Sequence, residues 1–334
     1  MLISLYSHPS LYQESKLDVA LKLTDGNRVV VRTRRELGFQ RVNASGPVAF
    51  TIEPEQLTAA LKRLAPVFEQ PASPARPQWT QGKIEILPGT FARQLNVAES
   101  VNRLRTAIEQ NPALTTIPIA LTKTPPTLGP ERLQKVTGIL AEMVTKTTSN
   151  PKRNLNIQLA CEAIDGTLLS PGEVFSLNET VGKRTQARGY RTATVFVDGQ
   201  KVPGIGGGVS QVTGTLFNAA ALAGLSIKEV HPHSRPVSYL PLGRDATVAY
   251  GDKDLKFVNS TNAPVFIAYS LQGTTLKATL YGAPVPTRKV NLTANVQRHA
   301  PGRIKVQLYR SIYENGTLKE KEQIFSHAYR WKVN

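Results

Sequence analysis

Gly204-Ile205-Gly206-Gly207-Gly208-Val209-Ser210-Gln211, running directly into the apolar stretch Val212–Leu222, decides how the chain is read. The apolar run predicts a buried helix closed by Gly224. A glycine cluster at its start leaves backbone N–H groups exposed and aims the helix dipole at one spot, an arrangement suited to an anion or a developing oxyanion. It is not a nucleotide loop. A P-loop needs Lys then Ser/Thr after the last glycine, where this chain has Val209-Ser210. A dinucleotide fingerprint counted from Gly204 and Gly206 needs glycine where Val209 stands. Ser210 has two readings. It is a helix N-cap, worth about 0.5–2 kcal/mol over alanine, or a nucleophile whose oxyanion would rest on adjacent N–H groups.

A serine nucleophile needs a base. Val230-His231-Pro232-His233-Ser234 places two histidines at alternate positions of an extended segment, so they point to opposite sides. Asp245, in Gly243-Arg244-Asp245-Ala246-Thr247, is the natural orienter. Each also has a plain reading, as structural histidines and as a turn aspartate or partner of Arg244. His231, His233 and Asp245 could converge on a metal, but Pro232 suits strand rigidity equally well. No metal and no cofactor is expected.

The chain has 334 residues, 40% of them apolar and 19% charged, with a formal net charge of +17. That length predicts two or three domains with real cores. The charge implies an acidic partner: nucleic acid, anionic lipid or an anionic wall polymer. Basic residues are scattered without a long run or an aromatic-rich basic motif, so no nucleic acid is expected. Cys161 is the sole cysteine, which excludes an intramolecular disulfide and a cysteine-based zinc site; it reads as a core residue. Met1–Pro9 lacks the basic region and apolar length of a signal peptide, and no stretch approaches a membrane span. Taken alone, this puts the chain in the cytoplasm unless an export signal lies upstream.

Working outward, Val19–Leu23 and Val29–Val31 flank Thr24-Asp25-Gly26-Asn27 and predict a hairpin. Pro54 opens a helix carrying Leu57, Leu61, Leu64 and Phe68, with Pro66 expected to end or kink it. Lys83–Leu87 and Ile117–Leu121 read as strands. Between them lies a helix with Val97, Val101, Leu104 and Ile108 on one face, capped by Asn96. Residues 14–125 thus form a small α+β module, and the proline-rich segment 122–130 is a linker. Arg132–Thr145 and Asn156–Ile164 read as helices. The short apolar runs at 173–177, 192–197, 228–230, 246–249, 265–269 and 276–281 read as strands of a mainly antiparallel sheet. Residues 283–334 carry ten Lys/Arg against three Asp/Glu and read as a basic, solvated β-hairpin extension around Glu314-Asn315-Gly316. The whole is α+β.

Several of these runs coincide with a known family. Arg153–Ile157, Ser170–Ser176, Val181-Gly182 with Arg184-Thr185, Gly189-Tyr190, Pro203–Val209 with Gln211, Pro232-His233-Ser234, Gly243–Val248 and Asp254–Phe257 appear in order. Residues from about 150 to 282 therefore resemble the VanW domain, giving a second domain at 131–282. Residues 14–125 are similar, more loosely, to the peptidoglycan-binding-like module that often precedes it. The resemblance implies a bacterial cell-envelope protein, usually exported or membrane-anchored, of a family associated with vancomycin resistance, and brings no defined reaction. Ser210 stands where the family usually has cysteine, and a hydroxyl is far harder to deprotonate than a thiol. Gly214 and Phe217 also depart from the common Thr and Tyr.

Two functions follow from the residues and the resemblance together. The first is binding of peptidoglycan or its precursors, with the carboxylate of a stem peptide received at Gly206, Gly207, Gly208 and Gln211 and supported by His231 and Arg244. A bulky residue at 207 is expected to abolish binding and leave the fold intact. The second is an acyl-transfer enzyme or amide hydrolase acting on wall peptides, with Ser210 as nucleophile, His233 as base, Asp245 as orienter and the Gln211 N–H in the oxyanion hole. The sequence sets no oligomeric state.

Overall fold

A computed structural model describes residues 17–41, 50–111, 113–197 and 200–331. The Met1–Pro9 reading and the start of the N-terminal module at 14 lie outside the described residues. The architecture is α+β, with five α-helices among the described residues and mostly antiparallel sheets. The chain divides into two compact units, residues 1–75 with 88–129 and residues 76–87 with 130–334.

In the first unit the hairpin forms as the turn chemistry requires. Ala20–Thr24 pairs with Val29–Thr33, Gly26 takes φ +95°, and Oδ1 of Asp25 accepts the N–H groups of Asn27 and Arg28. Thr116–Pro118 joins the hairpin as a parallel strand. Helices α1 (Pro54–Phe68) and α2 (Val97–Gln110) bury Leu57, Leu61, Leu64, Phe68, Val101, Leu104 and Ile108 against Leu21, Leu23 and Ile117. Oδ1 of Asn96 accepts the Glu99 N–H at 3.0 Å, the expected cap. Pro66 does not end α1 on the spot. It lies on the exposed side of the last turn, and the helix runs two residues further to Phe68.

The second unit is built around α5 (Val209–Leu222), in which only Ser210 and Leu222 are not fully buried. A helix buried on every side belongs in a core, and its polar residues Gln211, Thr213, Thr215 and Asn218 are all hydrogen-bonded there. It packs with α3 (Pro151–Ile164) on a four-stranded antiparallel sheet ordered Gly138–Lys146, Thr275–Gly282, Val265–Gln272 and Thr167–Leu169. The short helix α4 (Leu177–Val181) follows a smaller sheet of Val174–Ser176, Lys256–Val258 and Ser226–Glu229. Thr192–Val197 and Gln200–Ile205 form a two-stranded ribbon leading into the glycine turn. The hairpin Arg76–Thr80/Lys83–Leu87 belongs to this unit, where Arg76 grips Asp165 with two hydrogen bonds of 2.7 and 2.6 Å. Cys161 is buried in the core, and burial pushes its thiol pKa up.

Three sequence readings need correction. Arg132–Thr145 is not a helix: Pro130–Leu133 makes one 3₁₀ turn and Gly138–Lys146 is a strand paired with Thr275–Gly282. Val136, Ile139, Leu140, Met143 and Val144 satisfy helical spacing, but a bulge between Ile139 and Ala141 shifts the alternation and sheet pairing prevails. Ala246–Ala249 is no strand and makes only isolated bridges from Thr247 to His231 and from Ala249 to Lys253. The C-terminal segment is a three-stranded meander of Arg288–Ala300, Arg303–Glu314 and Thr317–Arg330, not a solvated hairpin. Its inner face buries Val306, Leu308, Ile312 and Tyr329, and Leu308 is part of the α5 core. Buried Arg310 donates to the carbonyls of Ala221 and Leu225 at the end of α5, where a cation complements the helix dipole.

Candidate functional site

The glycine turn is shaped by contacts only glycine permits. Gly206 (φ +82°) and Gly208 (φ +114°) are left-handed. A Cβ on Gly207 would lie 2.6 Å from the carbonyl oxygen of Thr194. Buried Asn156 clamps the turn from α3: Nδ2 donates to the carbonyls of Gly207 (3.0 Å) and Arg191 (2.9 Å), and Oδ1 accepts the Arg191 N–H. Within the turn Val209 N–H bonds Gly206 O and Gln211 N–H bonds Gly208 O. The N–H groups of Gly207, Gly208 and Ser210 have no partner among the described residues. They sit at the N-terminus of α5, where unpaired N–H groups and the dipole favour an anion.

This turn floors a cleft of about 290 Å³. Its walls include Arg153, Lys183, Arg184, Phe196, His233, Tyr239, Thr247 and Tyr250, and no carboxylate is among the lining residues. Arg184 donates through Nη1 to Asn178 Oδ1 (2.7 Å), while its buried Nη2 has no hydrogen-bond partner among the described residues. Burial lowers the pKa of both Arg153 and Arg184, yet a guanidinium stays charged far above neutral pH. Positive charge is therefore partly desolvated in a cleft that no carboxylate lines, and Asp254, outside the lining, offsets part of the Arg184 charge.

Behind one wall lies a buried polar network. His233 is 4% exposed and Asp245 1%. Oδ2 of Asp245 accepts both the His233 backbone N–H and its Nδ1, each at 2.8 Å. Oδ1 accepts the hydroxyl of Tyr329, which in turn accepts the Gly243 N–H at 3.0 Å. His327 Nε2 donates to the His233 carbonyl at 2.8 Å. Burial opposes ionisation of Asp245, but the bonds from His233 and Tyr329 outweigh it and hold the carboxyl below its ordinary range.

The structure brings Ser210, His233 and the glycines to one cleft, with Asp245 directly behind His233. The remaining candidates fall elsewhere or are otherwise engaged. Ser210 is not the N-cap; Gly208 holds that place, and Ser210 Oγ meets Thr247 Oγ1 at 3.2 Å. No hydrogen bond joins Ser210 to His233 among the described residues. The Gln211 N–H is taken by Gly208, which removes it from an oxyanion hole. Its side chain is buried, accepting from Arg153 and donating to Thr145 and the Lys146 carbonyl, and the residue lines the cleft beside the glycines. His231 turns away to Glu229 (2.9 Å), and Arg244 donates to Asn218 on α5; neither lines the cleft. Gly207 cannot take a bulky residue with the fold intact, because β-ribbon backbone fills the space.

Residues 152–281 match the family described as VanW like protein. The chain carries a VanW-like domain. It is 41% identical over 161 residues to the uncharacterized protein YoaR of Bacillus subtilis, covering 48% of this chain and 52% of that one. It is 30% identical over 112 residues to the vancomycin B-type resistance protein VanW of Enterococcus faecalis, covering 32% of this chain and 41% of that one. The chain thus spans about half the length or less of these curated relatives. No solved structure matches.

The VanW-like domain supplies the entire cleft lining, whereas Tyr329 and His327 come from outside the matched residues. Sequence reasoning passed over both, and also Arg153, Arg184 and Asn156 as site residues. A signal existed for these last three, since Arg153, Asn156 and Arg184 all lie in the runs that carry the resemblance. No local signal marked Tyr329. Among the described residues no helix is long and apolar enough to cross a membrane, and no group of three or more His, Cys, Asp or Glu could hold a metal ion.

Proposed function

We propose that the VanW-like domain binds a carboxylate of peptidoglycan or of a peptidoglycan precursor in the cleft above Gly206–Ser210. The observation carrying this reading is clustered positive charge in a cleft that no carboxylate lines. Arg153, Lys183, Arg184 and a turn with three N–H groups unpaired among the described residues line this one small space. Such a site is costly while empty, and an incoming carboxylate offsets the cost with charge-assisted hydrogen bonds. The volume is at the small end of the ~300–1,000 Å³ usual for ligand pockets, which suits a chain end better than a whole glycan repeat. The net charge of +17 would concentrate an anionic wall polymer near the protein. Relatedness to a vancomycin resistance protein supports a role at the cell wall and a place outside the cytoplasm. The first unit is proposed to be a peptidoglycan-binding module acting with it.

The test is calorimetry with purified sacculi and with soluble stem peptides ending in a free carboxylate or in the corresponding amide. Binding of the acid and weak binding of the amide is expected; no affinity for any wall component would end the proposal.

A second reading, an acyl-transfer enzyme or amide hydrolase, draws on the buried His233–Asp245 pair. A histidine held by a buried carboxylate can move protons at its other nitrogen. Ser210 as nucleophile requires a rotation from Thr247 toward His233. Labelling of wild type, but not of Ser210→Ala, by a fluorophosphonate would support this reading. Absence of labelling together with release of no amine from wall peptides would dismiss it.

A further inference from the structure

His233 adds to the cleft what its other walls do not supply. Asp245, as a carboxylate, is an acceptor only, so Nδ1 of His233 must carry the proton shared with Oδ2. A neutral imidazole protonated there has a bare lone pair on Nε2. The ring lines the cleft, the side chain is more than nine-tenths buried, and Nε2 has no hydrogen-bond partner among the described residues. A buried acceptor thus faces a space whose floor and cationic side chains donate.

We infer that the cleft reads the acylated C-terminal residue of a peptide: its carboxylate rests on the N–H groups of the Gly207–Ser210 turn beside the Arg184 guanidinium, and its last amide N–H is accepted by Nε2 of His233. This rests on the carboxylate-binding reading above and goes further by fixing the adjacent group. In a peptide end the amide nitrogen lies two bonds from the carboxylate carbon, so both fit one small cleft. A free amino acid is excluded, because its ammonium would face Arg153, Lys183 and Arg184 with no lining carboxylate to receive it. Tyr329 is a positioning residue: its bond to Oδ1 keeps Asp245 aimed at Nδ1. Recognition in the VanW-like domain therefore depends on a strand outside that domain.

Calorimetry on the full chain tests this with N-acetyl-alanyl-alanine in both configurations. Its comparators are the C-terminal amide, the analogue with ester oxygen in place of the last N–H, and free alanine. The acid of one configuration is expected to bind, with at least tenfold loss for the amide and for the ester, and no binding of alanine. Equal binding of acid and amide would overturn the carboxylate reading itself. A required carboxylate with the ester bound as tightly as the amide-linked acid would overturn only the role of His233. Nitrogen-15 spectra of His233 give an independent check. A proton on Nδ1 and a bare Nε2 in wild type, with the tautomers mixed in Tyr329→Phe, are expected. A protonated Nε2 in the unliganded protein would refute the assignment.

Discussion

Tyr329, on the last strand, donates its hydroxyl to Oδ1 of Asp245, 84 residues earlier in the chain. The same hydroxyl accepts the Gly243 N–H. Tyr329→Phe therefore leaves one buried acceptor and one buried donor unpaired while preserving the ring. An unpaired buried group costs about 1–3 kcal/mol. Urea unfolding should show a loss in that range, with the slope against denaturant unchanged. A loss below about 0.5 kcal/mol would mean that water replaces the hydroxyl and that the network is less closed than its geometry indicates.

The parts of this architecture that were legible are those with a single local solution. Asp25-Gly26 demands a tight turn, Asn96 caps a helix, and three successive glycines before an apolar run leave room for a buried helix and little else. His233 and Asp245 could be paired on paper because both are chemically conspicuous and separated by only twelve residues. Gly138–Lys146 could not be read, since its apolar spacing fits a helix and its strand state is decided by Thr275–Gly282, far away in sequence. Arg153 and Arg184 look like any surface arginines until folding buries them beside a turn with unpaired N–H groups. Tyr329 was illegible for the same reason: its role exists only across the packing of two distant segments.

Gly207 and Ser210 separate structural need from chemistry. Gly207→Ala puts a methyl group 2.6 Å from the Thr194 carbonyl, so the ribbon must move. Overpacking of this kind costs about 1–3 kcal/mol, and thermal unfolding should register it. Ser210→Ala removes only a 3.2 Å hydroxyl contact with Thr247 and should cost less than about 1 kcal/mol. If Ser210→Ala were the more damaging of the two, the position assigned to Ser210 inside the helix would be wrong.

Arg184 should trade stability against binding. Its guanidinium is partly desolvated, and among the described residues only its Nη1 is hydrogen-bonded, to Asn178 and the Gly182 carbonyl. Arg184→Met keeps the stem and removes the charge. The unliganded variant should unfold within about 1 kcal/mol of wild type, since a partly buried charge that makes no direct ion pair among the described residues stabilises little. Affinity for a carboxylate ligand should fall at least tenfold. Loss of several kcal/mol with affinity retained would show that Arg184 is a scaffold residue.

Glu229 sets an acid dependence outside the cleft. Hydrogen bonds from His231 and Lys256 draw its pKa from the ordinary 4.5 down to about 2, against a smaller burial penalty and with help from the Asp254 N–H. A carboxyl whose folded pKa is depressed binds protons more readily in the unfolded chain. Its contribution is therefore complete above the unfolded value near 4.5 and is lost as the pH falls through about 2. Glu229→Gln cannot titrate, so the stability difference between wild type and variant should be largest at pH 6 and shrink steadily between pH 4.5 and 2. Urea titrations of both proteins at pH 6 and 3 measure it. A difference that does not change between those two points would mean that Glu229 acts through shape and neutral hydrogen bonds, with no part played by its charge.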